Sequence, residues 1–363
     1  MKKNNNEITI IPKIKLHPSK IILYNELHYS QYKPSRKNNY AQTSTLIQVE
    51  KNGKIELQRV SNNFLQSTRK SDGELSKQAI KRLKLAIEYL LIINKPNNGK
   101  SGNTGRHYNK NITFITLTLP SKQLHTDKEI KEKCLNQFMI ELHKHWRITN
   151  YVWRAEYQKN GNIHFHIITN RFIPWEDIRV RWNRIIKKLG YIDNYRKNMQ
   201  EYHKNGFKIN EEKINTRTVA QQLKAYNYGL QTNWQNPNST DIHQIANVTN
   251  IKSYLIKYLS KTEKNLHDIT GDDNMQRKEI GRLWAASTIL SKIQGADTEL
   301  DTALENNLDI IKEHFKKAFF YSDYFTIIDI TIEDLRTLGC HAMINLFYSY
   351  MLNQFNYNYQ HHL

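Results

Sequence analysis

The sequence predicts an α+β fold: a central antiparallel sheet flanked by helices, with a basic N-terminal region before it and an α-rich C-terminal region after it. Three observations carry this. Residues 113–119, Thr-Phe-Ile-Thr-Leu-Thr-Leu, alternate as a strand does and stop at Pro120. Residues 151–169 read as two strands joined at Lys159-Asn160-Gly161. Amphipathic helical patterns lie between and after them, so the order is strand, helix, hairpin, helix.

Each element has a local signal. The 113–119 strand is expected to bury Phe114 or Ile115 and to turn its threonines to the other face. The next helix begins after Thr126, whose hydroxyl forms a capping box with Glu129, and runs to about Trp146 with Ile130, Cys134, Phe138 and Leu142 inward. Pro174 opens the helix after the hairpin, with Ile178, Trp182, Ile185 and Leu189 on one face and Gly190 as its stop. Residues 239–248 read as a short strand.

The remaining chain divides by composition. A basic accessory region over 1–95 holds a hairpin of 45–50 and 54–60 around Asn52-Gly53, and a helix over 77–93 capped by Ser76. Residues 96–111 are polar and Gly/Asn-rich, a linker. Their Gly99-Lys100-Ser101 is no phosphate-binding loop: Asn94 stands where the first glycine is required, and no helix pattern follows. The main domain spans 112–265. Its insertion at about 191–234 interleaves Tyr, Lys and Arg, which suits either stacking on bases or a solvated surface. Over 266–363 a helix at 298–317 aligns Leu300, Leu304, Leu308, Ile311 and Phe315, a strand covers 324–330, and helices cover 331–338 and 342–355.

The hairpin carries the chemistry. His164 and His166 are two apart on one strand, so their imidazoles project from the same face. A two-residue turn at Asn160-Gly161 would pair Tyr157 with His164. A three-residue loop, with Gly161 in the left-handed position, pairs Glu156 with His164 and Arg154 with His166. The second register is preferred because it also collects Phe165, Ile167, Ala155 and Trp153 on the opposite, core-facing side. A His-x-His pair alone is equally a pair of hydrogen-bonded sheet histidines; Glu156 in register turns the balance toward a metal site.

The formal net charge is +20, from 54 Lys and Arg against 34 Asp and Glu. Such an excess predicts a polyanionic partner, nucleic acid before membrane, because no apolar run approaches a membrane span. The start of the chain lacks the apolar core of a signal peptide, and Cys134 and Cys340 are too few for a disulfide framework. A cytoplasmic setting is expected.

A second loaded segment is Ile251-Lys-Ser-Tyr-Leu-Ile-Lys-Tyr-Leu-Ser-Lys261. On a helix Tyr254 and Tyr258 lie one turn apart, with Lys257 and Lys261 each three residues beyond a tyrosine. Taken alone, the pair is as well explained as the amphipathic edge of a core.

The strand ending Thr-Leu-Thr-Leu-Pro, then His164-Phe165-His166, then Tyr254-x-x-Lys257-Tyr258 resembles the three ordered motifs of the His-hydrophobic-His (HUH) endonucleases, over roughly residues 111–264. The nearest likeness is to rolling-circle replication initiators of plasmids and small single-stranded DNA phages. The resemblance implies a five-stranded antiparallel sheet with the His motif on a central strand. It also implies Mg²⁺ or Mn²⁺ on His164, His166 and Glu156, and a tyrosine nucleophile giving a 5′-phosphotyrosine. Tyr254 matches best, Tyr258 satisfies the same short pattern, and Lys257 is the candidate for orienting phosphate or nucleophile. Arg154 and Lys261 are candidate DNA contacts. The implied partner is single-stranded DNA at a replication origin, as an open strand or in an origin hairpin. A transposase or mobilisation relaxase would share the chemistry, and a non-catalytic basic nucleic-acid-binding protein would use His164 and His166 structurally. Gly281-Arg282-Leu283-Trp284 resembles a segment such plasmid initiators carry downstream. The C-terminal region is compatible with origin-duplex binding, dimerisation or contact with a host helicase.

Overall fold

The computed structural model describes residues 8–29, 45–51, 54–60, 75–93, 112–158, 160–244 and 281–355. In chain order these form β1 (Ile8–His17), β2 (Lys20–Tyr29), β3 (Thr45–Lys51), β4 (Lys54–Val60), α1 (Lys77–Ile93) and β5 (Thr113–Leu117). Next come α2 (Asp127–Ile130), a π-helical turn (Lys131–Leu135), α3 (Asn136–Trp146), β6 (Tyr151–Tyr157) and β7 (Ile163–Thr169). Then follow α4 (Trp175–Lys187), α5 (Tyr191–Tyr202), α6 (Val219–Gln231), β8 (Thr240–Gln244) and β9 (Trp284–Ala286). The last are α7 (Thr288–Ser291), β10 (Ala296–Glu299), α8 (Thr302–His314), β11 (Phe319–Tyr321), β12 (Phe325–Ile328), α9 (Ile332–Thr337) and α10 (His341–Phe355). The fold is α+β, with two five-stranded antiparallel sheets.

The chain separates into two compact units. In the larger, the strands run β8-β5-β7-β6-β9, so the histidine strand β7 is central. One face carries the core: Ile115, Leu117, Trp153, Ala155, Phe165 and Ile167 meet Cys134, Phe138, Leu142, Ile178, Trp182 and Ile185 from the helices. The inward residues of both helices are those the 3.6-residue periodicity selects. Thr126 caps α2 in the expected capping box with Glu129. The helix then continues to Trp146 through the π turn rather than as an uninterrupted α-helix. Cys134 is buried and free, and burial pushes its thiol up to about 11.

The faces of β5 differ in one respect from expectation. Thr116 shares the histidine face with Phe114, but Thr113 lies on the Ile115 side, 1% exposed, with its hydroxyl donating to Arg171 O at 2.8 Å. Three positions separate Thr113 from Thr116, so a two-residue period sends them to opposite faces.

The insertion folds as α5 and α6. Tyr191 is fully buried, its hydroxyl oxygen accepting from the amides of Leu124 and His125. Tyr226 and Trp234 pack with His203, whose ring stacks on Trp234 at 12°. These aromatics are engaged in holding the insertion together.

In the smaller unit the sheet order is β10-β1-β2-β12-β11, drawing strands from both ends of the sequence; the β3-β4 hairpin is separate and pairs Lys51 with Lys54 as expected. The helix expected over 298–317 begins later. β10 takes Ala296–Glu299, Leu300 N donates to Pro12 O, and Asp301 caps α8 by accepting from Leu304 N. A side-chain cap at Asp301 satisfies an otherwise orphaned helix amide, so the helix starts there.

The expected linker at 96–111 lies outside the described residues. So do the tyrosine segment with Tyr254, Lys257, Tyr258 and Lys261, and the end of the 239–248 strand. Among the described residues no helix is long and apolar enough to cross a membrane.

Candidate metal centre

The three-residue loop register is the one adopted. Glu156 faces His164, Arg154 faces His166, Ala155 faces Phe165 and Trp153 faces Ile167. Gly161 has φ of 81°, a left-handed conformation that glycine adopts without a Cβ clash. The turn is pinned from outside. Asn162, 2% exposed, donates through its side chain to Ser121 O and accepts from Gln123 N, while Gln123 Oε1 accepts from Ile163 N at 2.7 Å. Gln123 also donates to Asp127 Oδ1, and Tyr157 Oη donates to Asp127 Oδ2 at 2.5 Å. A one-residue slip would break this set and turn Phe165 and Ile167 out of the core.

The register brings three ligand-type side chains together. Nε2 of His164 and Nε2 of His166 each lie 3.4 Å from Glu156 Oε2, and the ligand atoms of all three residues fall within 4.8 Å of one another. Two ligands held about 2.1 Å from one cation are separated by about 3.0 Å at a right angle and about 3.4 Å at a tetrahedral angle. The spacing therefore fits the edges of one coordination polyhedron and is long for direct hydrogen bonds. Glu156 and His164 are partly exposed, whereas His166 is 8% exposed. The site thus has a buried floor and an open side.

Neighbouring groups set its electrostatics. Burial opposes ionisation of Glu156, but the two imidazoles and the Arg154 guanidinium outweigh it and hold the carboxyl down to about 2. Arg154 Nη1 is 2.9 Å from Glu156 Oε1, with a side chain only 6% exposed. Burial pushes the His166 imidazole below its ordinary 6.5, against the pull of Glu156. An ionised carboxylate beside a neutral imidazole is the state a divalent cation requires.

The sign for pH follows. Both groups have depressed values in the fold, so their contribution to stability is complete at neutral pH. It is lost below 6.5 for His166, and below 4.5 toward about 2 for Glu156. Proton competition at His166 likewise begins only below 6.5. Mn²⁺ affinity measured by calorimetry is expected to be flat from pH 8 to 6.5 and to fall toward tenfold per pH unit thereafter; an inflection above pH 7 would contradict the depressed imidazole.

Across the sheet the row through His166 reads Asp241, Thr116, His166, Arg154, Trp284. Thr116 Oγ1 is 3.1 Å from His166 Nδ1, and the Phe114 ring stacks on the imidazole at 5.3 Å and 20°. Thr116, Phe114 and Trp284 were not readable as parts of the site. The Thr-Leu-Thr-Leu pattern marks a strand, but the pairing of β5 with β7 is a long-range contact that no local spacing encodes.

The fold and the site define an α+β protein with a three-ligand cation site on the open face of an antiparallel sheet. Residues 112–263 match a family model of replication-associated proteins, the ORF2 type. The match covers under half of the chain and supports a replication initiator role, with DNA as partner. Comparison with curated proteins and with solved structures returned no match.

Proposed function

We propose that this chain is an HUH-type initiator that nicks and rejoins single-stranded DNA at a replication origin by metal-dependent transesterification. One observation carries the reading. Glu156, His164 and His166 converge on a cation-sized space, inside a matched span that also contains Tyr254-x-x-Lys257-Tyr258.

Glu156, His164 and His166 hold Mg²⁺ or Mn²⁺, which when bound supplies charge neutralisation at the scissile phosphate. Tyr254 attacks phosphorus in line. Its phenolic oxygen gains the bond to phosphorus as the bond to the 3′ oxygen breaks; the phenol loses its proton and the 3′ oxygen leaves as a hydroxyl. The 5′-phosphotyrosine keeps the bond energy, so a 3′-hydroxyl can reverse the reaction without ATP. Tyr258 serves a second cleavage. Lys257 lies on the same flank as both tyrosines, where a cation favours the phenolate and engages phosphate. Lys261 is a phosphate contact. Arg154, buried against Glu156, is assigned to holding that carboxylate rather than to touching DNA.

Incubation of the protein with Mn²⁺ and the single strand of its own replicon is expected to leave DNA attached through its 5′ end. Tyr254→Phe combined with Tyr258→Phe is expected to reduce the adduct below detection, and each single variant shows which tyrosine acts in which cleavage. If the double variant still forms the adduct, the nucleophile assignment is wrong.

A further inference from the structure

His164 and His166 point their Nε2 atoms at the same carboxylate oxygen, yet their other ring nitrogens differ. His164 Nδ1 is buried with no hydrogen-bond partner among the described residues. His166 Nδ1 meets the Thr116 hydroxyl at 3.1 Å, with Thr116 itself 9% exposed. Phe114, two residues earlier on β5, covers the flat of the same ring. β5 therefore fixes both the plane and the edge of His166.

A neutral imidazole carries one proton, and the nitrogen that keeps it is decided by what the other meets. A cation bound through Nε2 needs that nitrogen's lone pair, so the proton must sit on Nδ1, where burial leaves a donor costly unless it is accepted. A threonine hydroxyl accepts there. In the metal-free protein it turns over and donates instead, while Nε2–H faces Glu156, so neither state leaves the ring unsatisfied. We infer that Thr116 is a positioning residue for the metal centre, holding His166 in the Nδ1–H tautomer that presents Nε2 to the ion. The inference rests on reading Glu156, His164 and His166 as metal ligands. It assigns a role to the threonine of the 113–119 strand that sits opposite His166.

The test uses Thr116→Val, close to threonine in shape but without a hydroxyl, and Thr116→Ser, which restores one. Mn²⁺ affinity is measured by calorimetry on the full chain. Tautomers are read from ¹⁵N shifts of histidine-labelled protein, with and without Mg²⁺, with His166 assigned by its loss in His166→Gln. The expected result is Nδ1 protonation of His166 in Mg²⁺-loaded wild type. Thr116→Val is expected to weaken Mn²⁺ about 10- to 100-fold, and Thr116→Ser to stay within a few-fold of wild type. Thr116→Val binding as tightly as wild type, or Nε2 protonation in the Mg²⁺-loaded wild type, overturns the inference. The second readout stands even if the valine variant does not fold. Wild type that binds neither ion sinks the metal-site reading itself, a separate outcome.

Discussion

Glu156→Gln is expected to abolish divalent-cation binding and to weaken the fold at the same time. The amide keeps the size of the carboxylate but not its charge, leaving two neutral imidazoles for a hard cation that binds through anionic oxygen. Affinity for Mn²⁺ should fall by more than about 100-fold. The same change takes a charge from beside Arg154, 2.9 Å away, in a pair whose side chains are 6% and 12% exposed. Breaking a buried pair by removing one partner costs about 3–5 kcal/mol, and the remaining amide oxygen places this case near the lower end. Urea unfolding with and without Mn²⁺ separates the two effects. Wild type should gain about 2.7 kcal/mol when the ion is at 100 times its Kd, and the variant nothing. A variant that still gains stability from Mn²⁺ would remove Glu156 from the ligand set.

The second large effect lies on the opposite face. Trp182 is fully buried, edge-on to Phe138 at 5.8 Å and to Phe165 at 6.3 Å, and its Nε1 donates to Thr118 O at 2.8 Å. Trp182→Ala is expected to cost about 3–5 kcal/mol for the lost packing and cavity, and about 1 kcal/mol more for the unpaired carbonyl. Against a total stability of about 5–15 kcal/mol, that is enough to populate the unfolded chain. Trp182→Phe fills most of the space and isolates the hydrogen bond. Urea midpoints for the two variants give the comparison, and a loss under about 1 kcal/mol for alanine would mean that the site collapses around the gap. Phe165 stands between His164 and His166 in sequence, so loosening its packing reaches the ligands through one strand.

What could be read from the sequence was local. Residues 156–166 encode their own register, because loop length, Gly161 and the alternation of Phe165 and Ile167 all demand the same pairing. The inward faces of α3 and α4 were legible for a similar reason: a 3.6-residue period is complete within a dozen residues. Long-range pairing was not legible. Trp284-Ala-Ala is three residues long with no β-branched alternation, yet it completes the central sheet beside β6, beyond the stretch that matches the family model. The smaller sheet joins Ile21 to Ile328 and Tyr24 to Phe325, some three hundred positions apart, and no spacing rule reaches that far. Thr116 belongs to the same class, legible as a strand residue but not as the neighbour of His166.

The position of β7 has a consequence for motion. Every backbone amide and carbonyl along it faces another strand, β5 on one side and β6 on the other, and each of those is flanked in turn. Local opening begins where hydrogen bonds border solvent, at the short edges β8 and β9, and reaches a central strand only when the unit as a whole comes apart. The imidazoles consequently ride on the slowest-opening part of the sheet. β8, at an edge, leads directly into the residues that carry the tyrosines. Rearrangements of the DNA-joining side can then proceed on a timescale of their own, while the ligand spacing set by Glu156, His164 and His166 stays constant from one opening to the next.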